Sequence, residues 1–447
     1  MIFGTSGARG FIDKNLKPNV VYRLTTAYLK YTGYSTVLVG QDDRQQSRTL
    51  KFAVIDALLS QGVNVLDIGL APTPVIARMI KELKAEGAVS VTGSHTPPYI
   101  AGVLYFLKDT GELGLDDSEK VEKMFEKILY SPKNWKKLGR YETVDDAKSI
   151  YVKSLLRDVK KVKNYRFMFD AANGVAGAYA KETFRELGLD FKIINSLPLG
   201  SFPKRLPSPT LQHLKITVKE IKKSNYDFGV ATDADGDRAI FLDGNGKIII
   251  GDIAGAYFAA RQLESKKGKI VTPINSSDSI VEIARRYGAK LIWTKVGPPA
   301  MVDAVRKNKS EVVFAFEESG KYIWPEILLY GDSVYSTLKA LEDENFIENL
   351  KNVPRFYVVK REVRCSDQIK YSVIDEVDRA LEGKKMHKDG IKVYYKNHEW
   401  LLIRASGTEP VIRVFAHDRV LKNAEEMATL GVQLVREAKK KVEKSFH

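Results

Sequence analysis

Cysteine is almost absent: of 447 residues only Cys365 is one, so neither an internal disulfide nor a thiolate zinc cluster can form. Long apolar runs are missing as well, and none approaches the ~20 residues that a membrane-spanning helix needs. The opening stretch Met1–Gly10 has no basic n-region and no apolar h-region, so no secretory leader is expected there. No tract is low-complexity, and no recognised nucleic-acid motif or aromatic-basic segment stands out. These absences lead us to expect a cytoplasmic protein with no membrane or nucleic-acid partner.

Apolar side chains are plentiful, at 44% hydrophobic against 28% charged, which suits packed cores and excludes a wholly disordered chain. The length predicts about two to four domains. Lys and Arg number 71 against 56 Asp and Glu, and the formal charge of +15 favours an anionic partner. Charge alone does not choose among nucleic acid, acidic membrane and phosphorylated metabolites.

One pattern recurs: a β-branched run, a polar loop, an amphipathic stretch closed by glycine, and another apolar run, which is the signature of a βαβ unit. It reads Thr36–Gly40, a loop through Gln46-Ser47-Arg48, a helix from Leu50 to Leu59, Gly62 and Val63–Leu66. It recurs as Arg166–Asp170, a helix to Leu187, Gly188 and Phe191–Ile194, then as Lys269–Thr272, a helix to Tyr287, Gly288 and Lys290–Trp293. After Asp367 the order changes to a helix over Gln368–Leu381, apolar alternation over Ile391–Tyr395, strands at Trp400–Ile403 and Val411–Phe415, and a long terminal helix with a Lys-rich solvated face. The fold class is therefore α/β, with three related α/β domains and a C-terminal α+β domain. Candidate linkers near Ser131–Arg140, Asp252 and Asn352–Phe356 place the domains at residues 1–140, 141–251, 252–354 and 355–447.

Four polar segments interrupt these patterns. Thr92-Gly93-Ser94-His95-Thr96-Pro97-Pro98 ends a strand in a loop whose prolines forbid regular helix, so Ser94 is either a presented nucleophile or an ordinary loop serine. Asp233-Ala234-Asp235-Gly236-Asp237-Arg238 sets three carboxylates at alternate positions, an oxygen set suited to Mg²⁺. An EF-hand would need Gly after the third Asp and Glu at the twelfth position, where Arg238 and Gly244 stand. Glu317-Glu318-Ser319-Gly320-Lys321 offers groups able to grip sugar hydroxyls, and a plain surface turn fits it equally. Arg404-Ala405-Ser406-Gly407-Thr408-Glu409-Pro410, with Arg413 beyond, combines guanidinium, hydroxyls and backbone amides as an anion nest.

In this order, and with the opening Gly4-Thr5-Ser6-Gly7-Ala8-Arg9-Gly10, Val39-Gly40-Gln41-Asp42-Asp43-Arg44 and Gly69-Leu70-Ala71-Pro72-Thr73-Pro74, the chain resembles the α-D-phosphohexomutases, the phosphoglucomutase/phosphomannomutase family, over essentially its whole length. The resemblance implies four domains around a central cleft, each contributing one loop. It implies that Ser94 is a phosphoserine, that Asp233, Asp235 and Asp237 hold Mg²⁺ against its phosphate, and that Arg238 steadies this loop. Glu317 and Ser319 would bind sugar hydroxyls; Arg404, Ser406, Gly407 and Thr408, helped by Arg413, would clamp the phosphate that is not transferred. Arg9 would attend the reacting phosphoryl and the proton. The activity implied is interconversion of hexose 1-phosphate and hexose 6-phosphate through a hexose 1,6-bisphosphate, as intermediate and activator. Partners would be small phosphosugars, with homo-oligomerisation open.

Two departures from the family pattern stand out. Its usual Asn-Gly-x-Lys is Ala101-Gly102-Val103-Leu104, and Leu104 can neither donate nor accept a proton. Lys108 would lie ~13 Å farther along an extended strand. Arg9 or His95 as base, slow turnover, or a phosphosugar-binding protein without turnover are the readings this opens. The usual His after Glu-x-Ser-Gly is Lys321, a cation expected near the sugar phosphate. Glu318 favours glucose and mannose over glucosamine, whose enzymes usually have Gln there; glucosamine and pentose phosphates stay as alternatives.

Overall fold

A computed structural model describes residues 3–4, 6–396, 398–407 and 409–445. The chain divides into two compact units, Met1–Ala254 with Ser319–Leu350, and Gly255–Glu318 with Lys351–His447.

In the first unit, two sheets are built by the first two βαβ patterns. The first sheet runs, edge to edge, Ala8–Gly10, Ala101–Phe106, Gly87–Val91, Thr36–Gln41, Asn64–Leu70 and Tyr141–Thr143. Its crossover strands are parallel, whereas Ala101–Phe106 is antiparallel to both neighbours. Val37, Val39, Val65, Val89, Val91 and Val103 pack beneath the helices Pro18–Thr32 and Gln45–Ser60. The second sheet orders Ile248–Ile249, Ala239–Asp243, Phe228–Thr232, Arg166–Asp170 and Asp190–Ile194. Antiparallel pairing of Phe228–Thr232 with Ala239–Asp243, closing at Thr232 opposite Ala239, throws residues 233–238 out as a tight loop.

In the second unit, Lys269–Pro273 lies between Lys290–Thr294 and Val312–Glu317, both parallel to it. The C-terminal sheet is wholly antiparallel, in the order Tyr357–Arg364, Val411–Asp418, Trp400–Ala405, Ile391–Tyr394 and Lys384–Met386. Side chains alternate across it, as the strand period of two requires. Leu401, Ile403, Ile412 and Val414 face Val373, Val377, Ala428 and Val435 of the helices Lys370–Ala380 and Leu421–Ser445, while Trp400, Leu402 and Phe415 pack on Ile274. Arg436, Lys440, Lys441 and Lys444 stay exposed on the terminal helix, as its composition predicts.

The stop glycines behave as expected: Gly62, Gly188 and Gly288 have φ of 75°, 62° and 64°, the left-handed cap that glycine adopts most cheaply. Four expectations need correction. Gln46, Ser47 and Arg48 are not loop but the first helical turn, in which Gln46 Nε2 donates to the Pro98 carbonyl, Ser47 Oγ donates to Asp42 and Arg48 is exposed. The boundary near Asp252 is not a loop: the two units part at Ala254, inside the helix Gly251–Ser265, in whose first turn the buried Asp252 complements the helix dipole. Residues 131–140 are laced to the end of the helix Gln45–Ser60 by Lys133 N–H to Ser60 O and Gly139 N–H to Leu59 O, and Tyr141–Thr143 then pairs with Asn64–Leu70. The strand Tyr357–Arg364 precedes Asp367 and escapes the pattern because its polar face carries Lys360, Glu362 and Arg364.

Candidate functional site

The phosphoserine candidate sits in a backbone trap. The strand Gly87–Val91 ends at Val91, and Ser94, 2% exposed, adopts φ 49°, a left-handed conformation that costs a non-glycine residue energy and therefore needs support. Its own N–H donates to Thr92 Oγ1 at 2.8 Å, and Thr92 Oγ1 donates to Asp42 Oδ2 at 2.7 Å. Arg44, 1% exposed, closes the loop: Nε donates to Asp42, Nη1 to the carbonyls of Pro97 and Ile100, and Nη2 to those of Ser94 and Thr96 at 2.7 Å each. All five guanidinium hydrogens are thus used. A Cβ on Gly93 would stand 2.4 Å from Ile100 O and 2.6 Å from Arg44 Cζ, so only glycine admits this staple.

The three aspartates lie in the loop between Phe228–Thr232 and Ala239–Asp243, all buried, with one oxygen from each within 4.8 Å of the others. Asp233 Oδ2, Asp235 Oδ1 and Asp237 Oδ1 are buried without a hydrogen-bond partner among the described residues. Burial, followed by Asp237 and Asp235, raises the Asp233 pKa well above the carboxylate range, and burial with Asp237 raises that of Asp235. Burial also opposes ionisation of Asp237, but Lys321 and then Arg238 outweigh it and its pKa falls. Three buried carboxylates that bring one oxygen each within 4.8 Å, and each keep an oxygen without a hydrogen-bond partner among the described residues, are the hard donor set Mg²⁺ takes, so the residues present fit that ion.

Cations join the two loops. Arg238 Nε lies 3.5 Å from Asp233 Oδ2 and 3.8 Å from Asp237 Oδ1, while its Nη2 reaches His95 Nδ1 at 2.9 Å. Ser94 Oγ is 3.2 Å from the same Nδ1. Burial, then Arg238, Arg9, Lys321 and Arg44 push the His95 pKa well down, so its ring is neutral at neutral pH. With Nδ1 facing a guanidinium, His95 orients Arg238 more readily than it takes a proton. Arg9 lies on the strand Ala8–Gly10, opposite Gly102, and its Nε is buried with no hydrogen-bond partner among the described residues.

Lys321, expected beside the sugar phosphate, instead forms an ion pair with Asp237 at 2.7 Å and lies 4.1 Å over the Tyr330 ring. Leu104 is completely buried, and a Cβ on Gly7 would come within 2.9 Å of its Cγ, so the position is filled by packing. Lys108 is exposed in the turn beyond that strand.

In the second unit, Glu317 is buried at the end of Val312–Glu317, and Glu318 pairs with Lys360. Arg404 and Arg413 stand directly opposite each other on adjacent antiparallel strands, so both side chains leave the same face. Asp389 holds Arg404 Nε at 3.0 Å, leaving Nη1 buried without a partner among the described residues; Glu362 and Glu409 hold Arg413. Ser406 Oγ accepts from Glu409 N–H at 3.2 Å, and Lys370 donates to the Ser406 carbonyl at 2.6 Å. Gly407 is exposed with open space where a Cβ would stand, and Thr408 lies outside the described residues. Ser319 belongs to the first unit, in the turn that ends at Gly320.

Sequence reasoning quoted Ser6, Asp42, Arg44 and Thr73 only as parts of matching motifs and passed over Glu112. Asp42 carried an available signal, an ionisable residue directly following the apolar strand Thr36–Gln41; Glu112 carried none.

Models of phosphoglucomutase/phosphomannomutase α/β/α domains I, II and III match residues 1–131, 148–246 and 247–343, and that of the C-terminal domain matches 362–429. A phosphoglucomutase/phosphomannomutase of Thermococcus kodakarensis is 34% identical, covering 98% of this chain and 99% of its own. A phosphoglucosamine/phosphogalactosamine mutase of Sulfurisphaera tokodaii is 35% identical over 93% of this chain and 94% of its own. In fold, the crystal structure of a phosphoglucomutase/phosphomannomutase family protein from Burkholderia thailandensis is similar, with a TM-score of 0.86 at 24% identity, covering 98% of this chain and 97% of that one.

Proposed function

This chain belongs to the phosphoglucomutase/phosphomannomutase family, isomerases that transfer a phosphoryl group within a sugar phosphate, and from that premise we propose that it interconverts the 1- and 6-phosphates of glucose, mannose or both through phosphorylated Ser94. The observation that carries the reading is Arg238, which touches Asp233 with one nitrogen and the neighbour of Ser94 with another, tying a strained, presented hydroxyl to a vacant-oxygen carboxylate cluster.

Phospho-Ser94 gives its phosphoryl to the free hydroxyl of the bound 1-phosphate, forming a 1,6-bisphosphate. The intermediate turns round, and its other phosphate returns to Ser94. Asp233, Asp235 and Asp237 would hold Mg²⁺, which when bound supplies positive charge against the transferring group. Arg9 and Arg238 bring fixed cations that need no rearrangement as charge spreads over the phosphoryl oxygens. Arg404 and Arg413, like charges on one face, provide an anion site for the phosphate that stays behind, and Glu317 with Ser319 would take sugar hydroxyls. Because either phosphate must occupy that clamp in turn, the clamp reads phosphate and not its point of attachment.

Glucosamine phosphate is a second reading, favoured by the 35% identity to an enzyme named for glucosamine and galactosamine phosphates. Both are tested by ³¹P NMR with Mg²⁺, a trace of glucose 1,6-bisphosphate and the separate 1-phosphates of glucose, mannose, glucosamine and ribose. We expect conversion to the terminal phosphate, with the order of rates naming the sugar, and none by Ser94→Ala, which should still bind sugar phosphate. Turnover by Ser94→Ala would remove Ser94 from the mechanism; inactivity of folded wild type on every sugar would leave a phosphosugar-binding protein.

A further inference from the structure

The motif Pro72-Thr73-Pro74 has no part in the reading so far, yet it reaches the carboxylate cluster from another sheet. Thr73, fully buried, opens the helix Thr73–Glu82. Its N–H donates to the Asp235 carbonyl at 3.0 Å, and its Oγ1 donates to Asp235 Oδ2 at 2.7 Å. A third contact joins Thr73 Oγ1 to Ser90 Oγ at 3.0 Å. Thr73 has a single hydroxyl hydrogen and gives it to Asp235, so Ser90 is the donor to Thr73. The chain Ser90 to Thr73 to Asp235 therefore has one direction. Both hydroxyl residues are sealed from water, Ser90 at 1% exposure and Thr73 at 0%, so no solvent molecule replaces either bond.

We propose that Thr73 is a positioning residue for the metal site: by holding Asp235 Oδ2 it turns Asp235 Oδ1, which has no hydrogen-bond partner among the described residues, toward the other two aspartates. The proposal rests on reading Asp233, Asp235 and Asp237 as the metal ligands. Groups that orient a ligating carboxylate commonly set metal affinity. Because Thr73 opens the helix that follows a strand of the first sheet and Asp235 lies in a loop of the second, the contact also makes metal affinity depend on how the first two domains dock within their unit.

Thr73→Val removes the hydroxyl and keeps the shape; Thr73→Ser keeps the hydroxyl. Mn²⁺ binding to the full chain without sugar, read from the EPR signal of free Mn²⁺, should weaken about 10- to 100-fold in Thr73→Val and stay near wild type in Thr73→Ser. Mutase activity lost by Thr73→Val should return at high Mg²⁺. Wild-type Mn²⁺ affinity in Thr73→Val, or an equal loss in Thr73→Ser, would overturn the proposal by leaving Thr73 a packing role alone. If Thr73→Val does not fold, Thr73→Ala carries the test: it too removes the hydroxyl that Asp235 accepts from, so Mn²⁺ binding must weaken, and unchanged binding overturns the proposal. Wild type that binds no Mn²⁺, matching Asp235→Asn, would fell the metal reading and this proposal together, whereas tight wild-type binding lost in Asp235→Asn but kept in Thr73→Val fells this proposal alone.

Discussion

Lys321 Nζ lies 2.7 Å from Asp237 Oδ2, with the two side chains only 2% and 3% exposed. A lysine thus stands where the family pattern has histidine, and its charge is spent on a carboxylate of the cluster. Three buried carboxylates repel one another, and an internal ammonium is one way to hold them before a metal arrives.

Lys321→Met should therefore separate two effects. Without Mg²⁺ the variant leaves Asp237 buried with less compensation and should lose stability, by about 3–5 kcal/mol at most for a broken buried pair. Mg²⁺ should bind it more tightly and raise its melting temperature more than that of wild type. Thermal melts with and without Mg²⁺ check this; identical melts in Mg²⁺-free buffer would show that the pair is energetically idle.

Glu112 introduces a pH dependence. Its Oε2 accepts from Ser6 Oγ at 2.7 Å, and its Oε1 is buried without a partner among the described residues. Burial, against the pull of Lys321 and Ser6, raises its pKa to about 7. A carboxyl whose folded pKa lies above its unfolded value of about 4.3 adds stability that is complete below that value and is lost as pH rises through the folded pKa. Glu112→Gln keeps a partner for Ser6 and cannot ionise. Its stability should track wild type near pH 4 and exceed it increasingly from about pH 5, by on the order of 3 kcal/mol once pH passes about 7. Parallel curves of unfolding free energy across that range would refute the assignment.

Arg44→Lys keeps the charge and loses the planar fork that reaches four carbonyls and Asp42. We expect kcat to fall by about 100-fold as Ser94 loses its fixed pose, with little change in KM. Steady-state mutase kinetics decide the matter, and a variant with wild-type kcat would make the staple dispensable.

The repeating βαβ units are legible in the order of residues alone, because helix and strand periods and the glycine stops at 62, 188 and 288 are local properties. So is the acidic triad, since Asp233, Asp235 and Asp237 converge within one tight turn. The family motifs marked Ser94 for the same reason: a short loop carries them whole. Tertiary structure alone decided what supports those residues. Arg44 meets Ser94 across 50 positions, Glu112 meets Ser6 across 106 and Asp235 meets Thr73 across 162. Tertiary structure likewise buried Leu104 under Gly7 and turned Lys321 onto Asp237. A periodic pattern reports which face of an element is apolar, whereas the partner of a buried polar group is chosen by which strands come to lie side by side, and that choice is made only when the sheets pack.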